Sequence, residues 1–283
     1  PYAKWQAKDG DTVITLYESG KVVFQGKDAD LASDFWITTE KLNSGKVDVK
    51  NSANKEKKEK LDYINPKIYY ASTIGSDEVG TGDYFGPIVV TATFVTKENI
   101  PFLEELGVKD SKKMTDDKIL EVVPKIIKTI PYESIILSNK EYNEKYNSDI
   151  NMNKIKAILH NKALMTIKNK EQNYDYIVVD QFAEPYVYFN YLKTSSNVVR
   201  NITFMTKAED KCLSVACASI ISRYIFLKEF DKLSKNLGMN LLKGASDKVD
   251  EQGLTIVKKY GIDKLSEIAK LNFKNTEKIK AKL

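Results

Sequence analysis

Four carboxylates stand where the residue pattern predicts the end of a strand or the start of a helix. They are Asp77 and Glu78 in TIGSDE, Asp180 in YIVVD, and Glu209 in TKAEDKCLS. Ligand sites of α/β sheets gather at the carboxyl ends of the strands. Converging carboxylates repel one another unless a cation lies between them, and hard oxygen ligands select Mg²⁺ or Mn²⁺. Two such ions could activate a water molecule and stabilise the leaving oxygen of a phosphodiester.

The same positions also have a plainer interpretation. Acidic residues favour helix starts because they cap them and complement the helix dipole, and they are common in turns. Asp77 and Glu78 are moreover consecutive in a predicted strand, where neighbouring side chains face opposite sides. Both could serve one site only if the strand bends there, or if one of them acts through its backbone carbonyl.

Mechanisms that depend on histidine or cysteine are disfavoured. The only histidine, His160, lies in a lysine-rich amphipathic segment, where we expect a surface or half-buried structural role. Cys212 and Cys217 are five residues apart in a predicted helix, which separates them by about 140° around its axis. We expect two buried, unpaired thiols, as in a reducing compartment. Any chemistry must therefore use carboxylates, lysines, hydroxyls or a bound metal.

A glycine-rich turn follows the first two acids in DEVGTGDYFGP. Gly80, Gly82 and Gly86 would permit positive φ and a close approach of the backbone to a ligand such as a ribose and its phosphate. The spacing matches neither a dinucleotide-binding fingerprint nor a P-loop. A simple hairpin turn is an equally good interpretation.

A second polar segment, KDSKK, begins at Lys109 and precedes a predicted helix. Asp110 or Ser111 would cap that helix, which is the interpretation we favour. Lysines beside a small hydroxyl also suit the docking of a phosphate.

Composition and charge fit a globular protein with a basic surface. The chain has 283 residues, 42% of them hydrophobic, and a net charge of +5. Arg200 and Arg223 are the only arginines among 44 basic residues. Lysine contacts phosphate as a point charge, whereas arginine is the usual reader of guanine edges, so any nucleic-acid binding should show little sequence preference. A merely solvated lysine-rich surface is the alternative.

The ends and the apolar runs predict a cytoplasmic protein. No apolar run approaches the ~20 residues of a membrane span, and the first residues do not form a signal peptide. The sequence begins with Pro1, which suggests that it starts inside a longer gene product. We expect a monomer that does not bind membranes.

The pattern along the chain predicts three regions. Residues 1–40 form a small unit of three strands and a helix over ADLASDFWITTEKL, residues 41–66 a basic flexible linker, and residues 67–283 an α/β domain. A central mixed sheet should contain strands at KIYYASTIGSDE, GPIVVTATFVT, YDYIVVDQF and NVVRNITFMTK. Helices are predicted over 114–129, 150–169, about 209–236, and within 247–282.

Taken together, several segments resemble the type 2 ribonuclease H family, and specifically ribonuclease HIII. They are IGSDEVGTGDYFGPIVV, KDSKKM, VVDQF, TKAEDKCLSVACASIISRY and KLNFKNTEK. Thr81 stands where the HII branch of that family has arginine, and Glu209 where it usually has aspartate, so both point to HIII. The segment YESGKVVFQG is similar to the N-terminal domain of ribonuclease HIII, which resembles the TATA-box-binding protein fold and helps to hold the hybrid. Here that domain looks truncated at its start.

The resemblance implies a ribonuclease H-like domain that cuts the RNA strand of RNA–DNA hybrids with two Mg²⁺ or Mn²⁺ ions, leaving 5′-phosphate and 3′-hydroxyl ends. It implies metal ligation by Asp77, Glu78 and Asp180, with Glu209 completing the second-metal region or assisting the leaving group. Sensing of the ribose 2′-hydroxyl would fall to Gly80, Thr81 and Gly82, and phosphate binding to Lys109, Ser111, Lys112 and Lys207. The alternatives are a non-catalytic nucleic-acid-binding protein on the same fold, a metal-dependent phosphatase or exonuclease, and a nucleotide-cofactor enzyme.

Overall fold

The computed structural model describes residues 3–9, 12–26 and 65–283, with isolated positions between 29 and 40. The chain divides into two compact units, Pro1–Glu59 and Lys60–Leu283. The first contains an antiparallel sheet of three strands in the order β1 (Ala3–Asp9), β2 (Thr12–Tyr17) and β3 (Val22–Gly26). Of the helix predicted over 29–42, the described positions 29, 32, 33, 36, 37, 39 and 40 are helical. The linker predicted over 41–66 lies outside the described residues except for 65 and 66.

The second unit is built on a five-stranded mixed sheet in the order β6-β5-β4-β7-β8. The central strand β4 pairs antiparallel with β5 and parallel with β7, while β6 and β8 form the edges. This arrangement confirms the predicted α/β class. The strand bounds are β4 (Thr73–Val79), β5 (Ile88–Val95), β6 (Tyr132–Leu137), β7 (Tyr176–Asp180) and β8 (Ile202–Met205).

Helices cover both faces of this sheet. The long helix α7 (Leu213–Leu237) packs on one face of β4 and β5, and α5 (Met152–Lys170) packs on the other. None of the described helices is both long enough and apolar enough to cross a bilayer. The bounds are α1 (Pro66–Tyr69), α2 (Ile100–Glu105), α3 (Asp116–Ile126), α4 (Asn139–Lys145), α5 (Met152–Lys170), α6 (Pro185–Tyr191), α7 (Leu213–Leu237), α8 (Asp247–Tyr260), α9 (Lys264–Ile268) and α10 (Lys274–Lys280).

Strand β4 shows the two-residue alternation of a strand buried on both faces. The hydroxyl of Thr73 lies 2.8 Å from that of Ser214 on α7. The next residue, Ile74, is fully buried against Ala163 and Leu164 of α5. Odd-numbered side chains of β4 therefore face α7 and even-numbered ones face α5, which decides where the acids at the end of the strand point.

Three predicted element boundaries are wrong. The strand predicted over NVVRNITFMTK begins at Ile202 and not at Asn197. Residues 67–69, predicted as strand, belong to α1, because the Asn65 side chain accepts the Lys67 N–H and Pro66 occupies the first helical position. The long helix begins at Leu213 and not at Glu209, which instead lies in a separate 3-10 turn, Ala208–Asp210.

The predicted cap of α3 is also wrong. Residues Val108–Lys113 form a 3-10 helix of their own, and the helix that follows is capped by Thr115, whose hydroxyl accepts the Lys118 N–H. Cys212 and Cys217 are buried, unpaired thiols as expected.

Candidate active site

The carboxyl ends of β4 and β7 bring two of the predicted acids together. These strands are parallel, and Ser76 pairs with Val179, so Asp77 and Asp180 follow at the same level on adjacent strands. Residues level with one another on neighbouring strands point to the same face of the sheet. The negative charge of Asp180 is accordingly one of the influences that raise the pKa of Asp77.

Asp77 points toward α7, where it meets hydroxyls and no cation among the described residues. Its Oδ1 accepts the Glu78 N–H at 2.8 Å, its carboxylate accepts a hydrogen bond from Ser219, and its backbone carbonyl accepts one from Ser222 at 3.3 Å. Burial, followed by the charge of Glu78, raises the pKa of Asp77 well above its usual range, and the hydrogen bonds offset only part of this. An ionised Asp77 therefore lacks a compensating positive charge.

A 3-10 turn brings Glu209 next to Asp180. The turn's first N–H, from Ala208, donates to Asp180 Oδ1 at 2.8 Å. Burial and then the charges of Glu209 and Glu78 raise the pKa of Asp180, against the lowering effect of the Ala208 hydrogen bond. Glu209 Oε1 lies 2.7 Å from the Lys112 ammonium, whereas its Oε2 is buried without a hydrogen-bond partner in the described part of the chain. That oxygen is therefore a buried acceptor to which no described residue donates a hydrogen bond.

Glu78 points to the other face of the sheet, toward α5. His160 Nε2 donates to Glu78 Oε2 at 2.9 Å, and the Lys156 ammonium forms an ion pair with Oε1. Burial by itself would raise the pKa of Glu78, but hydrogen bonding and electrostatic attraction from His160 and Lys156 outweigh it and lower the pKa to about 2. Side chains of the protein therefore already satisfy this carboxylate.

The expectation of a surface or half-buried His160 is wrong, because its ring is fully buried. Its Nδ1 lies 2.8 Å from the Ser76 hydroxyl, so the ring bridges two residues of β4. Phe182 lies beside both basic groups, with its ring centroid 4.0 Å from the Lys156 ammonium and 5.2 Å from the imidazole. Lys156 and His160 are four residues apart and share one helix face, which is the signal that could have identified them.

A divalent cation fits the acids on the α7 face, although they do not enclose one as they stand. Over residues 3–9, 12–26 and 65–283, no three acidic, histidine or cysteine side chains converge closely enough to hold an ion. The reason is that Glu78 is turned toward α5 and Glu209 is paired with Lys112. The oxygen-only donor set, the raised pKa values of Asp77 and Asp180, and the unpartnered oxygen of Glu209 nevertheless suit a hard cation.

Comparison with known proteins supplies the family. A family model described as ribonuclease HII matches residues 74–276, and a domain of unknown function, DUF3378, matches residues 1–48. Ribonuclease HIII of Bacillus subtilis (strain 168) is 46% identical over 279 residues, which cover 98% of this chain and 87% of that protein. The chain belongs to the ribonuclease HIII group of the type 2 ribonuclease H family.

Solved structures of ribonucleases resemble this chain over most of its length. The crystal structure of Bst-RNase HIII in complex with Mn²⁺ has a TM-score of 0.75 and 40% identity, covering 99% of this chain and 90% of that one. The ribonuclease H2 from Pyrococcus horikoshii OT3 has a TM-score of 0.62 and 25% identity, covering 75% of this chain and 98% of its own.

The glycine-rich loop connects β4 to β5. Gly80 has φ +95°, and a Cβ there would overlap the Pro87 carbonyl oxygen, so the turn requires glycine. Gly82 differs from the expectation: its φ is not positive, and a Cβ would meet nothing within 4 Å. Thr81 is half-buried and Gly82 exposed, so the first half of the loop is accessible to a ligand.

The predicted phosphate-binding residues have diverse surroundings. Lys112 holds Glu209 and also Asp210, whose Oδ2 is 3.0 Å from its ammonium. The nearby Ser111 is buried, and its hydroxyl has no hydrogen-bond partner among the residues that the structure describes. Lys109 lies with its ammonium 5.7 Å from the centroid of the Tyr69 ring, and Lys207 adopts a left-handed conformation, φ 53°, at the start of the 3-10 turn.

Proposed function

We propose that this chain is an endonuclease that hydrolyses the RNA strand of RNA–DNA hybrids with the help of Mg²⁺ or Mn²⁺. The observation that carries the proposal is the level placement of Asp77 and Asp180 on adjacent strands, with the buried, unpartnered Glu209 oxygen nearby. Membership of the ribonuclease HIII group supplies the substrate class, and the Mn²⁺ complex of Bst-RNase HIII supports the choice of cofactor.

Asp77 and Asp180 would bind the first ion through their carboxylates, and Glu209 would complete the site of a second. Glu78 would take part through its backbone carbonyl for as long as its side chain stays with Lys156 and His160. When bound, the two ions activate the attacking water and stabilise the leaving 3′ oxygen, which gives 5′-phosphate and 3′-hydroxyl ends.

The neighbouring polar groups would orient the hybrid. A cation bound by Glu209 would compete with Lys112, whose freed ammonium could then contact a phosphate together with the Ser111 hydroxyl. We assign phosphate contacts to Lys109 and Lys207 as well, on the family resemblance. The backbone of Gly80, Thr81 and Gly82 would meet the 2′-hydroxyl, the group that distinguishes RNA from DNA.

We assign hybrid binding to the N-terminal domain predicted over residues 1–40, and a linking role to residues 41–66. Removal of residues 1–60 should then weaken hybrid affinity more than turnover of bound substrate. An unchanged KM after this deletion would contradict the assignment.

The decisive experiment uses a hybrid labelled at an internal position of its RNA strand. Internal cuts are expected with Mg²⁺ or Mn²⁺, none with a chelator, and none in Asp77→Asn, which should still bind the hybrid. Matched DNA–DNA and RNA–RNA duplexes serve as controls. Binding without cleavage by the wild-type chain, or release of terminal nucleotides only, would overturn the proposal in favour of a binding protein or an exonuclease.

A further inference from the structure

A lysine far along the sequence is buried beneath the glycine-rich loop. Lys270 is fully buried, and its ammonium donates to the backbone carbonyls of Asp83 at 2.8 Å and Gly86 at 2.6 Å. Burial lowers its pKa to about 7 despite the nearby charge of Asp83. A lysine without solvent access is rarely retained unless its polar group is bonded, so these two contacts are the reason for its burial.

The second half of the loop is fixed at other points as well. Tyr84 and Phe85 are fully buried; the Tyr84 N–H donates to the Gly244 carbonyl, and the Tyr84 carbonyl accepts the Lys270 N–H. Asn139 Nδ2 donates to the Gly86 carbonyl at 2.9 Å, so this oxygen accepts from two side chains. By contrast, Thr81 and Gly82 in the first half of the loop, Gly80–Gly82, keep solvent access. The second half, Asp83–Gly86, is thus anchored, whereas the first half is accessible to a ligand.

We propose that Lys270 is a positioning residue that sets the backbone of Gly80–Gly82 where it meets the substrate ribose. The inference rests on the proposed function. Gly80 links the two halves, because it packs directly against the carbonyl of Pro87, the residue after Gly86. A shift of the anchored half, Asp83–Gly86, would therefore also move the accessible half, Gly80–Gly82. No apolar side chain could replace the lysine, since the Asp83 carbonyl would lose the donor that Lys270 supplies and the Gly86 carbonyl would lose one of its two.

A matched control lies in the same C-terminal segment. Asn143 donates to the carbonyls of Ser266 and Ala269 at 3.0 Å and 2.9 Å and accepts the Leu271 N–H at 3.0 Å. It holds the segment that carries Lys270, but none of its hydrogen bonds in the described structure reaches the glycine-rich loop. Asn143→Ala therefore reports what loosening the segment does by itself.

The test measures discrimination between ribose and deoxyribose. Two hybrids that differ only in a 2′-hydroxyl or 2′-hydrogen on the ribose 5′ to the cut are compared by kcat/KM in the wild type, Lys270→Met and Asn143→Ala. Lys270→Met should reduce the wild-type discrimination factor about tenfold, because misplaced contacts lose their selectivity. Asn143→Ala should keep that factor even if its thermal stability falls.

Each outcome decides between separate claims. Undiminished discrimination in folded Lys270→Met would overturn the positioning role while leaving the nuclease intact. A wild-type chain that cuts neither hybrid would overturn the proposed function and this inference with it. If Lys270→Met does not fold, Asn139→Ala replaces it, since it removes the other donor to Gly86: a roughly threefold loss of discrimination supports the anchoring of the loop, and no loss contradicts it.

Discussion

The two faces of β4 treat adjacent carboxylates in opposite ways. Asp77 faces α7 and meets the Ser219 hydroxyl, whereas Glu78 faces α5 and meets Lys156 and His160. Burial penalises the ionised form of both, yet the pKa of Asp77 is raised and that of Glu78 is lowered. We call the α7 side of β4, where Asp77 has no basic partner among the described residues, the unpaired face, and the α5 side, where Glu78 is paired with Lys156 and His160, the paired face. The unpaired face is the one where we propose that a cation from solution binds.

The largest expected change in stability comes from removing the ion pair on the paired face. Lys156→Met leaves a buried carboxylate without its cation, so the free energy of unfolding should fall by about 3–5 kcal/mol. Lys162→Met changes an exposed lysine of the same helix and should alter stability by less than about 0.5 kcal/mol. Urea unfolding at pH 7 measures both. Equal effects of the two substitutions would show that the ion pair with Glu78 contributes nothing.

On the unpaired face, removing the charge should increase the free energy of unfolding instead of lowering it. Because burial and the charge of Glu78 raise the pKa of Asp77, its ionised form destabilises the folded chain at neutral pH. Asp77→Asn should therefore increase the free energy of unfolding by about 1 kcal/mol or more in the presence of a chelator, while it abolishes cleavage. A loss of stability in this variant would contradict the contrast between the two faces.

The dependence on pH sharpens the same comparison in the metal-free chain. Folded Asp77 binds its proton at a higher pH than the unfolded group, whose pKa is 3.8, so the contribution of Asp77 to wild-type stability falls as pH rises above 3.8. The advantage of Asp77→Asn should therefore disappear as pH falls toward about 4. The stability that Glu78 contributes is present above 4.5 and is lost as pH falls toward 2. Parallel unfolding curves for the wild type and Asp77→Asn across this range would be the contrary result.

The site residues of the unpaired face could be predicted from the sequence more easily than those of the paired face. Asp77 and Asp180 each end a strongly apolar run, and the carboxyl ends of neighbouring parallel strands meet at one edge of a sheet. Because consecutive strand residues point to opposite faces, the sequence also predicted that the Glu78 side chain would face away from Asp77 unless the strand bends there. Four of the five strands and most long helices followed from periodicity in the same way, because those signals are local, whereas the edge strand β6 was not predicted.

The paired face depends on contacts between residues far apart in the chain. Lys156 and His160 lie in a helix rich in lysine, and its sequence does not reveal that one face packs against β4, about 80 residues earlier. Lys270 reaches the Gly86 carbonyl across a still longer separation. Burial of such polar residues depends on partners that only the folded chain provides, which is why composition placed His160 near the surface.

The smallest expected effect tests whether the hydroxyls of α7 act on the Asp77 carboxylate itself. The Ser219 hydrogen bond lowers the pKa of Asp77 against burial, so Ser219→Ala should raise that pKa further and reduce stability at pH 7 by less than about 1.5 kcal/mol. Ser222→Ala is the matched control, because Ser222 donates to the backbone carbonyl of Asp77 and to the Thr91 hydroxyl. Carboxyl NMR titration of the metal-free chain should show the upward shift in the first variant and no shift in the second. Equal shifts would mean that Asp77 responds to the general polarity of α7, and the contrast between the two faces would then owe nothing to a specific hydroxyl.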